Sequence, residues 1–231
     1  MKKYNAARKH AFNFYCKPFT LYRFTIILFC STVIFMKNKF ALKSAVCALF
    51  AAIICTGCFI RIPLGVVPVV IQDALCILTG SILGGFTAAV PLILFLLAGL
   101  IGLPVYSGGT CGIAVWLGPT GGFLAGYLLG AVTAGLIAGH PSVTQKKFSL
   151  SQAVRVTLAI IAGTVVLYVP GVLYFAKWAL DGSKVPSGSS AFTYAAASCV
   201  TPFIPGALLK IVISVPVSLS VRQVLARYLC K

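Results

Sequence analysis

The stretch ALCILTGSILGGFTAAVPLILFLLAGLIGLPVYSGGTCGIAVWLGPTGGFLAGYLLGAVTAGLIAGHPSVTQ, residues 74–145, runs for 72 residues without a Lys, Arg, Asp or Glu. A membrane-spanning helix takes about 20 apolar residues, so the stretch is too long for one or two spans. Its Gly and Pro positions divide it into three. Gly84-Gly85 ends the first, near Ala74–Leu83, and Gly102-Leu103-Pro104 ends the second, near Phe86–Ile101. Gly118-Pro119 opens the third, which runs to about Ala138 and stops at Gly139-His140-Pro141. Working outward, further apolar runs lie at Ser44–Ile60, at Val156–Ala176 and from Val185 to the C-terminus. The expected fold is all-α, an integral membrane protein with six transmembrane helices.

Composition agrees. Of 231 residues, 60% are hydrophobic and 9% charged, against about 25% charged in a soluble domain. Asp73 and Asp181 are the only acidic residues. So few charges cannot cover a water-soluble surface of this size, which excludes a soluble enzyme, and the apolar content excludes disorder. Two carboxylates also leave little material for paired-carboxylate catalysis or an acidic metal cage. The net charge of +17 does not point to nucleic acid, because the Lys and Arg residues cluster at the ends of apolar runs.

Their placement gives an orientation. Lys37, Lys39 and Lys43, then Lys146, Lys147 and Arg155, then Arg222, Arg227 and Lys231 fall on one side. The other side holds Arg61, Lys177 and Lys184, balanced by Asp73 and Asp181. By the positive-inside rule both termini of the six-helix unit are cytoplasmic. Residues 1–36 read as a basic and apolar extension that is dispensable, with the functional membrane domain at 37–231. The apolar run Leu21–Met36 is broken by Arg23 and has basic flanks on both sides. The cysteines number nine, and only Cys55 and Cys58 have C-x-x-C spacing, with no second pair to complete a zinc site. They read as small apolar residues within helices, and no metal or cofactor is expected.

Several segments carry more information. Gly118, Gly122, Gly126, Gly130, Ala134 and Ala138 stand four residues apart and form one ridge of small side chains, read as internal packing. Ser44, Ala48, Ala52 and Thr56 form a similar ridge on the first helix, where internal packing and a partner surface stand level. Arg61–Pro68 is rigid and extended because its two prolines fix φ and disfavour helix before them. Pro104–Gly118, PVYSGGTCGIAVWLG, combines Tyr106 and Trp116 with the Gly108-Gly109 pair, which lets backbone come close to something. Tyr106, Trp116 and Trp178 read equally as interface-belt anchors. In TPFIPGALLK (201–210), Lys210 lies about one turn inside the last span. An ammonium at that depth marks a functional site, with snorkelling to the outer interface as the bland alternative. Phosphate-loop, H-E-x-x-H and nucleophile-elbow motifs are absent. A membrane subunit that binds a ligand and relies on a partner for energy fits this inventory.

Three stretches carry a family resemblance: ALFAAIICTGCFIRIPLGVVPVVIQ (48–72), LAGLIGLPVYSGGTCGIAVWLGPTGGFLAGYLLG (97–130) and PFIPGALLK (202–210). They resemble the BioY family, the biotin-specific substrate-binding S components of energy-coupling factor transporters. The specific part is GLPV, twelve residues, then GPTGG; the similarity covers about residues 40–229 in order. The resemblance implies six helices in a bacterial cytoplasmic membrane and a biotin site under the outer loops. It also implies docking of an A-x-x-x-A ridge, here Ala48 and Ala52, onto a transmembrane coupling subunit that works with ATPase subunits.

The family's last helix begins P-G-D-x-x-K, with Asp and Lys meeting the vitamin. Lys210 matches the Lys, but Ala207 stands where the Asp is expected. An unpaired buried ureido group costs roughly 1–3 kcal/mol, so another acceptor is needed, and Asp181, Gln72 and the backbone near Gly108 and Gly109 are the candidates. The family's P-[IV]-T-x-Q becomes Pro68-Val69-Val70-Ile71-Gln72. No Arg lies between Arg61 and Arg155, so a carboxylate contact near the Gly-rich loop needs another donor. The first functional expectation is biotin uptake. The alternatives are an S component for another small metabolite and a ligand-free small channel or assembly protein of the membrane.

Overall fold

The computed structural model describes residues 39–62, 69–141, 150–182, 185 and 190–229. The chain divides into two compact units, residues 1–46 and 47–231. The extension at 1–36 lies outside the described residues. The helices are α1 (Lys39–Thr56), α2 (Gln72–Leu83), α3 (Ala89–Leu100), α4 (Ile113–Leu117), α5 (Gly121–Ala138), α6 (Leu150–Asp181), α7 (Ala191–Cys199) and α8 (Ile204–Leu229). Short 3-10 turns at Gly57–Phe59, Gly85–Ala88 and Thr201–Phe203 lead out of α1 and into α3 and α8.

The breaks follow the glycines. Gly84 (φ 71°) and Gly139 (φ 68°) take the left-handed conformation that ends α2 and α5, and each donates its N–H back to a carbonyl at 3.0 Å, Gly80 and Gly135 respectively. The uncharged stretch thus folds as α2, α3 and α5, with the short α4 inserted in the loop between the last two. Four helical segments are long and apolar enough to cross a membrane: Phe40–Phe59, Gly121–Ala138, Leu150–Asp181 and Gly206–Arg227. Helices α2 and α3, with 12 residues each, rise only about 18 Å, less than the roughly 30 Å of a bilayer's hydrocarbon core.

One departure from an all-α fold is small. After α1 the chain forms an antiparallel ribbon, β1 (Arg61–Ile62) against β2 (Val69–Val70), with Arg61 opposite Val70; residues 63–68, the rest of the segment expected to be extended, lie outside the described residues. Helix α7, nine residues, was hidden within the apolar C-terminal region.

The glycine ridge is internal. A Cβ on Gly122 would meet the Pro170 carbonyl and one on Gly126 the Leu167 carbonyl, while at Gly130 the Gly163 carbonyl would lie 2.6 Å away. Helix α5 therefore packs backbone to backbone on α6, the contact small residues allow in lipid. Gly118 precedes α5 and is not part of this seam. Gly130→Leu should lower the thermal unfolding midpoint in detergent, by the equivalent of about 1–3 kcal/mol for overpacking; an unchanged midpoint would mean the seam is loose.

Helix α8 meets α2 through a buried Ser81 Oγ–Ser218 Oγ hydrogen bond of 3.0 Å. Buried Arg222 donates to the carbonyls of Ser81, of Ala138 (3.0 Å) and of Gly139 (2.9 Å), which closes the C-terminal ends of α2 and α5. On the outer faces, Leu158, Val165 and Leu173 of α6 and Leu208, Leu209 and Val212 of α8 are all more than half exposed. Apolar surface of that extent suits lipid, not water.

Candidate ligand-binding site

The first turn of α2 and the first turns of α8 place opposite charges together. Lys210 Nζ lies 2.7 Å from Asp73 Oδ1 and 2.9 Å from Oδ2, and it donates to the Val70 carbonyl at 2.6 Å. Asp73 Oδ1 also accepts the Ala74 N–H at 2.7 Å. The two side chains are 13% and 19% exposed for Asp73 and Lys210, so the pair is screened little by solvent. Lys210 does not snorkel; its three protons have partners. Asp73, assigned to an outer loop as a balancing charge by sequence reasoning, is instead the carboxylate beside Lys210, and it stands where Ala207 left the position on α8 without one.

Next to the pair lies a cavity. Its walls are aromatic. Phe123 and Tyr168 meet edge to face at 6.0 Å, and Tyr168 and Phe203 at 6.1 Å, with Tyr127 behind them. Asp73 and Tyr168 also line a smaller adjoining cavity together with Ala207 and Lys210. Such a setting, apolar walls with a few convergent polar groups, is what small-molecule sites provide.

Among the described residues, two polar atoms at the cavity lack partners. Gln72 is fully buried, and its Nε2 donates to the carbonyls of Ile54 (3.1 Å) and Val105 (2.8 Å). Both partners accept only, so the amide orientation is set and Oε1 is the free end. Gln72 Oε1 and Ser107 Oγ are buried without a hydrogen bond. Such atoms cost roughly 1–3 kcal/mol each, and both residues line the cavity.

The glycine-rich segment forms one side. Tyr106 is fully buried, its hydroxyl donating to Leu96 O at 2.6 Å and accepting from Trp116 Nε1 at 3.0 Å. Burial pushes its phenol above the usual value, against the Trp116 hydrogen bond, so it stays a donor. Its ring stacks edge to face on Phe95 at 5.6 Å and lies against Gly99, where a Cβ would clash. Tyr106 is therefore a wall residue and not a belt anchor. Trp116, half-buried, braces it from outside the cavity; its carbonyl accepts from Tyr174 Oη at 2.9 Å. Gly108 (φ 73°) donates to Cys58 O at 2.9 Å, and the Arg61 guanidinium covers the place where a Cβ would stand. The Arg61 guanidinium thus lies against the glycine-rich loop.

Of the residues expected at the site, Gln72 and Tyr106 line the main cavity, and Lys210 the adjoining one. Gly108, Gly109 and Trp116 form its second layer. Asp181 does not take part; it is exposed at the end of α6. Ala48 and Ala52 are exposed on α1. Sequence reasoning missed Asp73, Ser107 and the aromatic walls. The signal for Asp73 was available: with two acidic residues in the chain, a buried Lys has few choices.

Apolar helices that face lipid around a small aromatic cavity with a buried ion pair define a multi-pass membrane protein that binds a small ligand. Residues 31–227 match the BioY family, and the chain belongs to that family. It is 34% identical over 178 residues to the biotin transporter BioY of Rhodobacter capsulatus, covering 76% of this chain and 90% of that one. It is 39% identical over 172 residues to the biotin transporter BioY of Rhizobium etli, covering 72% and 86%. The crystal structure of the S-component for biotin from an ECF-type ABC transporter superposes with a TM-score of 0.60 at 25% identity, covering 82% of this chain and 93% of that one.

Proposed function

We propose that this chain is the biotin-binding membrane subunit of an energy-coupling factor transporter, in a bacterial cytoplasmic membrane. It takes biotin from outside and delivers it inward with a transmembrane coupling subunit and ATPase subunits. The observation that carries the reading is the pairing of Gln72 Oε1 and Ser107 Oγ, buried and unsatisfied, with the Asp73–Lys210 pair beside one aromatic cavity. A ureido group has two N–H donors and one carbonyl. Gln72 Oε1 and the Asp73 carboxylate accept the first two, and Ser107 Oγ donates to the third. The aromatic walls take the fused rings.

Six spans with both termini cytoplasmic agree with one further feature. Helices α2 and α8 run parallel, as a second and a sixth span must, since Asp73 meets Lys210 and Ser81 meets Ser218 with the same separation in sequence. The site then lies toward the outside, under the loop 104–118, and the valerate carboxylate points to Arg61.

Binding of labelled biotin to the purified full chain tests the function, with Lys210→Ala at least tenfold weaker, about 1.4 kcal/mol. An S component for another small metabolite, suggested by Ala207, is the outcome if biotin does not bind. Arg61→Ala should weaken biotin roughly three- to tenfold, about 0.7–1.4 kcal/mol, and leave the affinity for biotin amide unchanged. An equal loss for acid and amide would mean that Arg61 only packs on Gly108.

A further inference from the structure

A further cavity opens at the other end of the bundle, between the end of α5, the start of α6 and the last turns of α8. His140, Ser151, Gln152, Arg155, Arg222 and Gln223 line it. Its charge is one-sided. Asp73 is paired with Lys210 at the opposite end of α2, and Asp181 ends α6, 26 residues beyond Arg155 near its start, about 39 Å of helix away. Neither aspartate reaches the two arginines, whose charges repel each other.

Their hydrogen bonds divide the work. Arg222 is buried and gives its Nη groups to backbone carbonyls. Arg155 is exposed and donates through Nε to Ile137 O at 2.6 Å. Among the described residues its two Nη groups make no hydrogen bond, and they leave an open guanidinium edge. Gln152, Gln223 and Ser151 add neutral donors, and the start of α6 brings the positive end of its dipole.

We propose that this cavity binds a phosphate oxyanion, held by the Arg155 edge with Gln152 and Gln223. A guanidinium fork matches two phosphate oxygens, and several donors around one cavity suit an anion with oxygens on every side. The source is the headgroup of an anionic phospholipid or free phosphate. The place, at the ends of membrane-crossing helices on the side richer in Lys and Arg, favours the headgroup.

The test titrates the purified full chain, in neutral detergent, with short-chain phosphatidylglycerol, short-chain phosphatidylcholine and inorganic phosphate, read by phosphorus NMR line broadening. Phosphatidylglycerol should bind saturably and at least tenfold more tightly than phosphatidylcholine. Arg155→Gln and Gln152→Leu should each weaken it at least fivefold. Gln152→Leu spares the Arg155–Ile137 bond, and an unchanged unfolding midpoint certifies its fold. If inorganic phosphate competes with phosphatidylglycerol at similar affinity, the anion alone is recognised and the proposal stands with free phosphate as the source. Equal binding of the two lipids, or phosphatidylglycerol affinity indifferent to both variants, overturns it and leaves the arginines as caps on helix ends.

Discussion

Asp73→Asn is expected to weaken biotin binding about 100-fold, about 2.7 kcal/mol. The substitution removes an acceptor for a ureido N–H and leaves Lys210 with a carbonyl partner but no countercharge in a setting where an unpaired ion is costly. The carboxylate's position, not only its presence, is open to test because Ala207 and Lys210 line one small cavity with Asp73. Ala207→Asp alone should also weaken binding, since two carboxylates would then face one ammonium. In the Asp73→Asn background, Ala207→Asp should recover at least tenfold, because it returns a carboxylate three residues from Lys210 on the same helical face. Isothermal titration of the three variants beside the parent reads all of this. Parental affinity in Asp73→Asn would show that the pair only ties α2 to α8.

Ala48→Trp and Ala52→Trp should each cut ATP-driven biotin uptake at least tenfold while biotin affinity stays at the parental value. Both alanines are exposed, one turn apart on α1, and neither lines the cavity. Adding an indole to a helix face that another helix approaches closely costs at least about 1–3 kcal/mol of docking, enough for a tenfold loss or more. Uptake and binding assays on the same membranes separate the two roles. A fall in affinity together with uptake would place the ridge inside the protein instead.

Much of this architecture could be read from the chain. The interruptions at Gly84 and Gly139 are visible because glycine is the residue that adopts their backbone conformation, and the four-residue spacing of Gly122, Gly126 and Gly130 announces close packing. Lys210 stood out because a cation inside an apolar run is rare. Its partner did not, because Asp73 is 137 residues away and only the parallel placement of α2 and α8 brings them together. The aromatic walls were equally hidden. Phe123, Tyr127, Tyr168 and Phe203 sit in apolar runs where an aromatic facing a cavity and one facing lipid look alike. The start of α3 was masked for a related reason, since the apolar residues 86–88 before it read as more helix.

The contacts between α2 and α8 have a mechanical consequence. Asp73 clasps Lys210 at one end of α2, and Ser81 clasps Ser218 and Arg222 at the other. Eight residues separate Asp73 from Ser81 and eight separate Lys210 from Ser218, about 12 Å along each helix. A rod fastened at two points can neither pivot nor slide against its neighbour without breaking a fastening. Helices α2 and α8 therefore form a braced frame that tilts as one piece. Any gate over the cavity has to be hung on parts outside that frame.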